Sequence, residues 1–342
     1  MPRLSVVRPI LVVLAAALAP VLAAAADEAV APAPDARTPA QWIELMGRAF
    51  AERSYDGTLS YFDGEDLSTL RVVHAVVDGI EQERLVHMDG PMREIVRADD
   101  DVFCILDPDD EILELESSIP AGPFSRAFAS TLDEAADQYD LTLEGRDRVA
   151  GRATVRILVA PRDSDRYAYR LWIDEDKGLL LRSDLLDADG SRLEIVQFTD
   201  IRIDEPIDPG ALARASRIGA VTNRLTVRAP TPSPDVTASH WRLDWVPTGF
   251  SMAASEWRHP GQQSRALATQ MYSDGLAAFS VFIEEMPAEG ASNLVSRKGA
   301  TVAVTHRTAG PDGVPHLVTV VGEVPTATAE RVARAVRFAA DE

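Results

Sequence analysis

The chain has 342 residues, a formal net charge of −20 and a single cysteine, Cys104. Such an acidic chain repels nucleic acid, whose binding depends on neutralising phosphates, so nucleic acid is not an expected partner. One cysteine excludes an internal disulfide framework, and the apolar run around Cys104 favours a buried core thiol over a reactive one. The length exceeds that of a typical single domain and predicts two.

The first 26 residues have the pattern of a secretory signal peptide. Arg3 and Arg8 precede an apolar run over 10–22 and an alanine-rich cleavage site over 23–26. The run is shorter than the ~20 apolar residues that span a bilayer, so cleavage is favoured over a retained membrane anchor. Cleavage after Ala26 removes two arginines and moves the net charge to −22, leaving an exported protein that we expect to be soluble.

A helix is predicted after a flexible, alanine- and proline-rich tether over 27–38. Thr38 can cap the helix, Pro39 suits its first turn, and Gln41 completes a capping box. Apolar residues then recur at helical spacing, which predicts one buried face. The residues of that face are Trp42, Leu45, Met46, Ala49 and Phe50.

The segment over 39–210 is predicted to form one large antiparallel sheet, curled around one or two helices. Apolar and polar residues alternate in short runs separated by Asp-Gly turns, which is typical of hairpins. The predicted strands are 58–62, 70–77, 82–88, 93–97, 102–106 and several more over 141–203, and a capping box predicts a second short helix over 131–139.

A linker is predicted over 211–239, because its prolines cannot continue a helix or a central strand. A smaller α+β domain is predicted over 240–342. Its predicted strands are 241–246, 250–257, 268–272, 279–284, 300–306 and 316–321, and its closing helix starts at Pro325 with Ala329, Val332, Ala333 and Val336 on one face. The predicted fold class is therefore α+β and mostly antiparallel β, with a large curved half-barrel sheet packed on helices and a smaller C-terminal domain.

Patterns typical of catalysis or metal binding are weak. Ser251 lies in a loose likeness of a hydrolase nucleophile elbow, but its flanks favour a continuous strand over the required strand-to-helix turn. Asp107, Asp109 and Glu111 have calcium-loop spacing, yet Ile112 occupies the glycine position, which favours a solvated acidic turn. The six histidines show no metal-ligand spacing. We expect no catalytic, cofactor-binding or metal-binding residues, and no enzyme.

Two features remain for binding. A partly closed antiparallel sheet can leave an apolar groove, although the same residues can also fill an ordinary core. The candidate inward residues of this groove are Leu59, Tyr61, Leu70, Val72, Val86, Met88 and Ile95. Arg84, Arg93 and Arg97 could bind carboxylates or phosphates. Because the chain contains only two lysines, compositional bias toward arginine is the favoured explanation of these three.

Both predicted domains contain short motifs that together suggest a family. In the first domain they are Tyr55-Asp56-Gly57, Tyr61, 70–74, 83–85, Asp89-Gly90, Arg93-Glu94 and Cys104; in the second they are 246–250, 272–276, 279–282 and 318–325. In this order they resemble the RseB/MucB family of periplasmic regulators of the envelope-stress sigma factor. The resemblance implies an N-terminal domain like the lipoprotein carriers, with a cavity for acyl chains.

The resemblance also implies a function. Members of the family bind the periplasmic part of a single-span, membrane-anchored anti-sigma factor, shield it from regulated proteolysis, and are released by lipid-bearing envelope components such as lipopolysaccharide. It thus implies a negative regulator in the periplasm, held near the inner membrane by its partner. For the partner surface we predict the exposed side of the second sheet around Tyr272, Asp274 and Phe279, and a turn and core strand of no special role is the equally favoured alternative for these residues. A lipid or lipoprotein carrier is the alternative, and self-association to a homo-oligomer is left open.

Overall fold

The computed structural model describes residues 37–77, 79–90, 93–98, 101–106, 136–212, 221–223, 241–258, 267–286, 294–310 and 313–338. The predicted signal peptide over 1–26, most of the tether and most of the linker lie outside these residues. So do Asp107, Asp109, Glu111 and Ile112 of the calcium-loop pattern and the side chain of Cys104. Within the described chain, no helix is long and apolar enough to cross a membrane.

The N-terminal part of the described chain is built on one large sheet. Its helices are α1 (Pro39–Glu52) and α2 (Pro209–Leu212), with a 3-10 turn at Ala136–Gln138. Its strands are β1 (Tyr55–Phe62), β2 (Leu67–Val77), β3 (Ile80–His87), β4 (Arg93–Ala98), β5 (Asp101–Leu106), β6 (Tyr139–Val149), β7 (Arg152–Pro161), β8 (Ala168–Asp174), β9 (Leu180–Leu186), β10 (Arg192–Ile203) and β11 (Val221–Asn223).

These strands pair in the order β11-β5-β4-β3-β2-β1-β10-β9-β8-β7-β6, and every pair is antiparallel. Strands β1 to β5 therefore extend from the middle of the sheet toward one edge. Strands β6 to β10 start at the opposite edge and end beside β1. Strand β6, at one edge, also approaches β10, because the sheet is a curved half-barrel. Together with the C-terminal part, this confirms the predicted fold class.

Helix α1 begins where the capping box predicts. The Thr38 hydroxyl accepts a hydrogen bond from the Gln41 N–H (3.3 Å), and the Gln41 side chain accepts one from the Thr38 N–H (2.8 Å). These bonds satisfy backbone donors that a helix start otherwise leaves free. The apolar face of the helix packs on the concave side of the half-barrel, where Trp42, Met46 and Phe50 are buried.

The C-terminal part is a smaller sheet covered by one helix, α3 (Thr326–Ala335). Its strands are β12 (Trp241–Leu243), β13 (Ser251–Arg258), β14 (Leu267–Ser273), β15 (Ala278–Glu285), β16 (Val295–Lys298), β17 (Thr301–Ala309), β18 (Pro315–Gly322) and β19 (Val336–Phe338). Six of them pair in the order β13-β14-β15-β18-β17-β16, and β12 pairs with β19. Ala329, Val332 and Ala333 of α3 pack against the valines of β17 and β18.

Several predicted boundaries differ from the structure. Tyr139 begins β6 instead of ending a helix, because it pairs with Pro161. Strand β12 ends at Leu243, since the Asp244 N–H donates to the Ala335 carbonyl at the end of α3. Val336 is buried as predicted, but it lies in β19 and not in the helix.

Three strands were not predicted. Residues 221–223, placed in the linker by their sequence, form β11 and pair with β5. Strand β16 is exposed at all four positions, so it lacks the alternation by which strands are recognised. Strand β19 exists through its pairing with β12, which is distant in sequence. The two-domain boundaries themselves stay a prediction.

Candidate functional site

Five of the seven predicted groove residues lie on the concave face of the half-barrel. Directly paired residues of an antiparallel sheet point to the same face. Leu59 pairs with Leu70, and Leu85 pairs with both Val72 and Ile95, which places all of them on the side of α1. The five are Leu59, Tyr61, Leu70, Val72 and Ile95.

The inward placement of Val86 and Met88 was wrong. Val86 pairs with Arg71 and Glu94, so it points away from α1. Met88 follows the end of β3 and is 58% exposed. Leu85 and Val86 are adjacent apolar residues, so alternation alone does not decide which of them faces the core.

Much of the predicted groove is occupied by packed side chains. Leu59, Leu70 and Val72 are buried in one core with Met46 and Phe50 of α1. For these three residues the ordinary core interpretation therefore holds in this structure. An acyl chain that reached them would have to displace side chains of α1.

A buried polar cluster lies on the same concave face. Tyr55, His74, Glu83 and Arg97 are aligned across β1 to β4 by successive pairing. The rings of Tyr55 and His74 stack with their centroids 4.9 Å apart, and the Arg97 guanidinium lies 3.5 Å from the Glu83 carboxylate. Burial raises the pKa of Glu83, while the nearby Arg97 and His74 act in the opposite direction.

Both ring nitrogens of His74 have partners. Nδ1 lies 2.9 Å from the Arg53 carbonyl oxygen, and Nε2 lies 3.2 Å from the Glu81 carboxylate. Since the carbonyl can only accept, Nδ1 carries a proton and donates to it. His74 is thus a bridge between the end of α1 and strand β3, which is a structural role.

The three arginines singled out from the sequence do not form one site. Arg93 and Arg97 share the concave face with Ile95, whereas Arg84 points to the opposite face. There the Arg84 guanidinium donates two hydrogen bonds to Glu94 (2.8 and 3.1 Å) and one to the Ala211 carbonyl.

The three predicted partner residues are buried, so the expected exposed surface around them was wrong. Tyr272 and Phe279 face the core under α3, because Phe279 alternates in phase with Val281 and Ile283. Their rings stack with centroids 5.3 Å apart. Whether any of these residues contacts a partner stays a prediction.

Asp274 instead joins the C-terminal part to the N-terminal part. Its Oδ2 accepts a hydrogen bond from the Tyr139 hydroxyl (3.1 Å) and lies 3.0 Å from Nη1 of Arg166. Neither the Arg166 nor the Asp274 side chain has any exposed surface. Arg166, in the loop between β7 and β8, also donates to the Thr248 carbonyl and lies over the Phe250 ring. Burial and the Asp274 carboxylate raise the pKa of Tyr139, so its hydroxyl stays a donor.

A second contact between the parts centres on Glu194 at the start of β10. One carboxylate oxygen accepts the Ala300 N–H (3.0 Å), and the other accepts the Tyr61 hydroxyl (3.2 Å). Burial raises the pKa of Glu194, although these two donors act in the opposite direction. Tyr61 of the predicted groove therefore lies at the interface between the two parts through its hydrogen bond to Glu194. Asp274 of the predicted partner surface lies at the same interface through Tyr139 and Arg166.

Two turns approach closely at the same interface. Nζ of Lys298 lies 3.0 Å from the Asp63 carboxylate and 3.2 Å from that of Asp66. Gly299 has a φ of +56°, and a Cβ there would overlap the Asp63 carbonyl oxygen. Only glycine therefore fits this position without movement of the neighbouring turn.

The structure also bears on the weak sequence patterns of catalysis and metal binding. Ser251 starts β13, so it does not stand on a strand-to-helix turn as a nucleophile elbow requires. Among the described residues, no three His, Cys, Asp or Glu side chains group together as a metal site would need.

Comparison with known proteins shows the family. The model of the MucB/RseB N-terminal domain matches residues 38–216, and that of the MucB/RseB C-terminal domain matches residues 235–337. The chain belongs to the MucB/RseB family. Family members include sigma-factor regulatory proteins with which this chain aligns almost end to end.

Among these relatives, the sigma factor AlgU regulatory protein MucB of Pseudomonas aeruginosa is 36% identical, over 90% of this chain and 93% of the relative. The sigma-E factor regulatory protein RseB of Escherichia coli K12 is 29% identical, over 89% and 92%. A crystal structure of MucB in complex with MucA(peri) has a TM-score of 0.74 at 32% identity and covers 89% of this chain and 100% of that one. A crystal structure of MucB has a TM-score of 0.63. The MucB/RseB fold is thus shared across both parts.

The interface residues Arg166, Glu194 and Gly299 were missed from the sequence. Arg166 ends the run 162–166, which holds two arginines and two aspartates, and nothing local marks it as buried. The Asp-Gly pair at 274–275 signalled a turn but not an ion pair. In this MucB/RseB chain, these residues acquire their role only when the two sheets meet.

Proposed function

We propose that this chain is a periplasmic negative regulator of an envelope-stress sigma-factor pathway. It binds the periplasmic part of a membrane-anchored anti-sigma factor and shields that part from regulated proteolysis. Lipid-bearing envelope components release it. The observation that carries the proposal is the match, over 89% of this chain, to MucB solved in complex with MucA(peri).

The location in the proposal comes from the chain's own start and its named relatives. Arginines, a short apolar run and an alanine-rich site precede the first matched residue. Export to the periplasm would place the chain beside the periplasmic part of a single-span partner. Its acidic net charge favours a basic binding segment on that partner.

Release by lipid requires that the lipid and the anti-sigma factor favour different states of the protein. A ligand shifts an equilibrium only through its different affinities for the two states. The coupling is reciprocal, so the anti-sigma factor should weaken lipid binding by the factor by which lipid weakens the complex. The half-barrel, with Tyr61 and Ile95 half-buried on its concave face, is the proposed lipid-binding part.

The alternative function is that of a lipid or lipoprotein carrier. The curved sheet around α1 supports it, since a carrier needs an apolar concave face. The C-terminal part speaks against it, because its own core and covering helix add nothing that a carrier needs.

The proposal is tested with the mature chain and the periplasmic segment of the anti-sigma factor from the same genome. Calorimetry should show a 1:1 complex, and the bound segment should resist the site-one protease that cleaves it when free. Titrated lipopolysaccharide should then lower the affinity and restore cleavage. In the control, serum albumin, which binds lipid but not the segment, replaces the chain and shows whether lipid itself alters cleavage by the protease. Absence of a complex would refute the regulator and leave the carrier, whereas a complex indifferent to lipid would refute the release step alone.

A further inference from the structure

The two parts of the molecule meet through strand ends. The C-terminal part contributes the loop at 248–250, the turn at 274–277, the turn at 298–300 and Thr328 in the first turn of α3. The N-terminal part contributes strand ends and turns of the half-barrel, at 63–66, 138–139, 165–167 and Glu194. The end of the second sheet therefore lies against one end of the half-barrel.

This contact covers an aromatic end of the concave face. Tyr167 and Tyr169 lie there and are 3% and 5% exposed, and the half-buried Tyr61 packs against the same core. Ala300 is buried in the core of the N-terminal part, and Leu276 packs against the same core. The Tyr169 hydroxyl also lies within 3.5 Å of the Leu276 carbonyl. Two turns of the C-terminal part thus close the end of the half-barrel.

The contact is held by polar groups that become unpaired if the parts separate. Arg166 and Asp274 have no exposed side-chain surface. On separation Asp274 loses its cation, whereas among the described carboxylates Arg166 keeps only Asp163, which lies 3.4 Å away in its own loop. Glu194 loses the Ala300 N–H, and Asp165 loses the Thr328 hydroxyl. Water can replace these partners only when the end of the half-barrel is open, so the contact favours two discrete arrangements over a gradual one.

We infer that the C-terminal part is a cap on the half-barrel, that the Arg166–Asp274 ion pair positions it, and that its removal admits a long acyl chain to the tyrosine-lined end. This rests on the proposed function, whose lipid signal it assigns to a particular entrance. An acyl chain is the fitting occupant because the tyrosine rings at this end belong to the apolar core of the half-barrel, and Glu194 is the carboxylate beside Tyr61. Arg166 is a positioning residue, since it contacts the cap and not the acyl chain.

The native protein can be locked in the capped state. A water-soluble carbodiimide joins a lysine amine to a carboxylate in contact with it, and the chain has only two lysines. Lys298 contacts Asp63 and Asp66 across the interface, whereas the carboxylates near Lys177 are Asp176 and Asp204, within the N-terminal part. Peptide mass spectrometry should find the link from Lys298 to 63 or 66. In the Lys298→Arg control the charge remains but this link cannot form.

The measurement is fluorescence titration with cis-parinaric acid, an 18-carbon fatty acid. If the cap blocks the site, the apparent affinity is the affinity of the open form multiplied by the fraction of molecules that are open. Locked protein should therefore bind the probe at least about tenfold more weakly than carbodiimide-treated Lys298→Arg protein. Equal binding by the two, or no probe binding by any form, would overturn the cap.

A pair of substitutions opens the cap from the other direction. Arg166→Met with Asp274→Asn removes both charges together, and asparagine keeps the oxygen that accepts the Leu276 and Ala277 N–H groups. We expect probe affinity to rise about tenfold and the yield of the Lys298 cross-link to fall. The matched control is Arg162→Met with Asp140→Asn, an exposed ion pair of 2.9 Å at the same end of the sheet. Probe affinity equal in the two double variants would also overturn the cap.

Failure of the cap and failure of the proposed function give different results. If the anti-sigma segment binds but probe binding ignores the lock, the regulator stands and the cap is wrong. If the cross-link weakens probe binding but no anti-sigma segment binds, the cap is supported and the protein is a carrier instead of a regulator. Replacement of Arg166 by lysine adds a further criterion, because it should restore part of the capping that methionine abolishes, as a positioning charge would.

Discussion

Arg166 and Asp274 form an ion pair of 3.0 Å across the interface between the two sheets, and neither side chain has any exposed surface. Burial of two charges has a large desolvation cost, so the pair is weak evidence of net stability. The pair favours the one arrangement in which both charges are present, because the Asp274 carboxylate without Arg166 would be buried with no cation beside it. The Tyr139 hydroxyl donates to Asp274, and Arg166 donates to the Thr248 carbonyl.

Removal of one member of this pair should cost more than removal of both. Arg166→Met leaves the Asp274 carboxylate buried without its cation, and the free energy of unfolding should fall by about 3–5 kcal/mol. The double variant with Asp274→Asn should recover at least about 1 kcal/mol of that loss. Urea unfolding measures both. Arg162→Met, whose ion pair is exposed, should change the free energy of unfolding by less than about 1 kcal/mol. Additive effects of the two interface substitutions would contradict the buried pair.

Gly299 should be intolerant of a side chain for a reason beyond its backbone angle. Gly299→Ala places a methyl group against the Asp63 carbonyl, so the turn must move away from the N-terminal part. We expect the yield of the carbodiimide cross-link from Lys298 to Asp63 or Asp66 to fall several-fold. Gly313→Ala is the matched control, because Gly313 also has a positive φ, +75°, but has no atom within 4 Å of the new Cβ. Both variants carry backbone strain, and only the first should lose the link.

Met46 should contribute strongly to stability, since it anchors α1 inside the half-barrel with no exposed surface. Met46→Ala leaves a cavity and should lower the free energy of unfolding by about 2–5 kcal/mol. Leu67→Ala, at a residue 69% exposed, should change it by no more than about 0.5 kcal/mol. Chemical denaturation followed by tryptophan fluorescence measures both. Equal effects would mean that α1 is not packed as described.

Glu83 should make stability depend on pH. Its pKa in the folded state is raised above the ordinary value of 4.5, chiefly by burial. The associated stability is fully present below the unfolded pKa and is lost as pH rises through the folded value. Glu83→Gln lacks this loss, so its stability relative to the natural protein should increase as pH rises from about 4.5. Glu52→Gln, at the exposed end of α1, is the control and should leave the pH dependence unchanged. A parallel pH dependence of Glu83→Gln and the natural protein would contradict a raised pKa.

Local signals predicted the elements well. The capping box of Thr38 and Gln41, the Asp-Gly turns and the alternation in the strands depend on residues close in sequence, and α1 and most strands formed where these signals lay. The errors arose where local signals were ambiguous or missing. Leu85 and Val86 are both apolar, and register with neighbouring strands decided which one faces inward. Strand β16 has no alternation and forms through pairing with β17.

The arginine-rich composition and acidic charge were visible from the start, yet they did not show which charges are buried. Arg84, Arg93 and Arg97 were candidates for one binding site because they lie on successive predicted strands, and the sheet separates Arg84 from the other two. Arg166 drew none, although it has no exposed surface. Burial of a charged side chain depends on what packs over it, and for Arg166 that is a segment from the other sheet.

By itself, then, the sequence determined two sheet-rich parts, the helix within the first, the helix over the second, and a resemblance to the MucB/RseB family. Helical spacing, strand alternation and capping are local properties that a chain carries before it folds. The tertiary structure alone decided that Tyr272, Asp274 and Phe279 are buried and that the strand ends of the two sheets meet. The Arg166–Asp274 pair exists only in that arrangement, because the energy of a buried charge depends on the partners that folding brings to it.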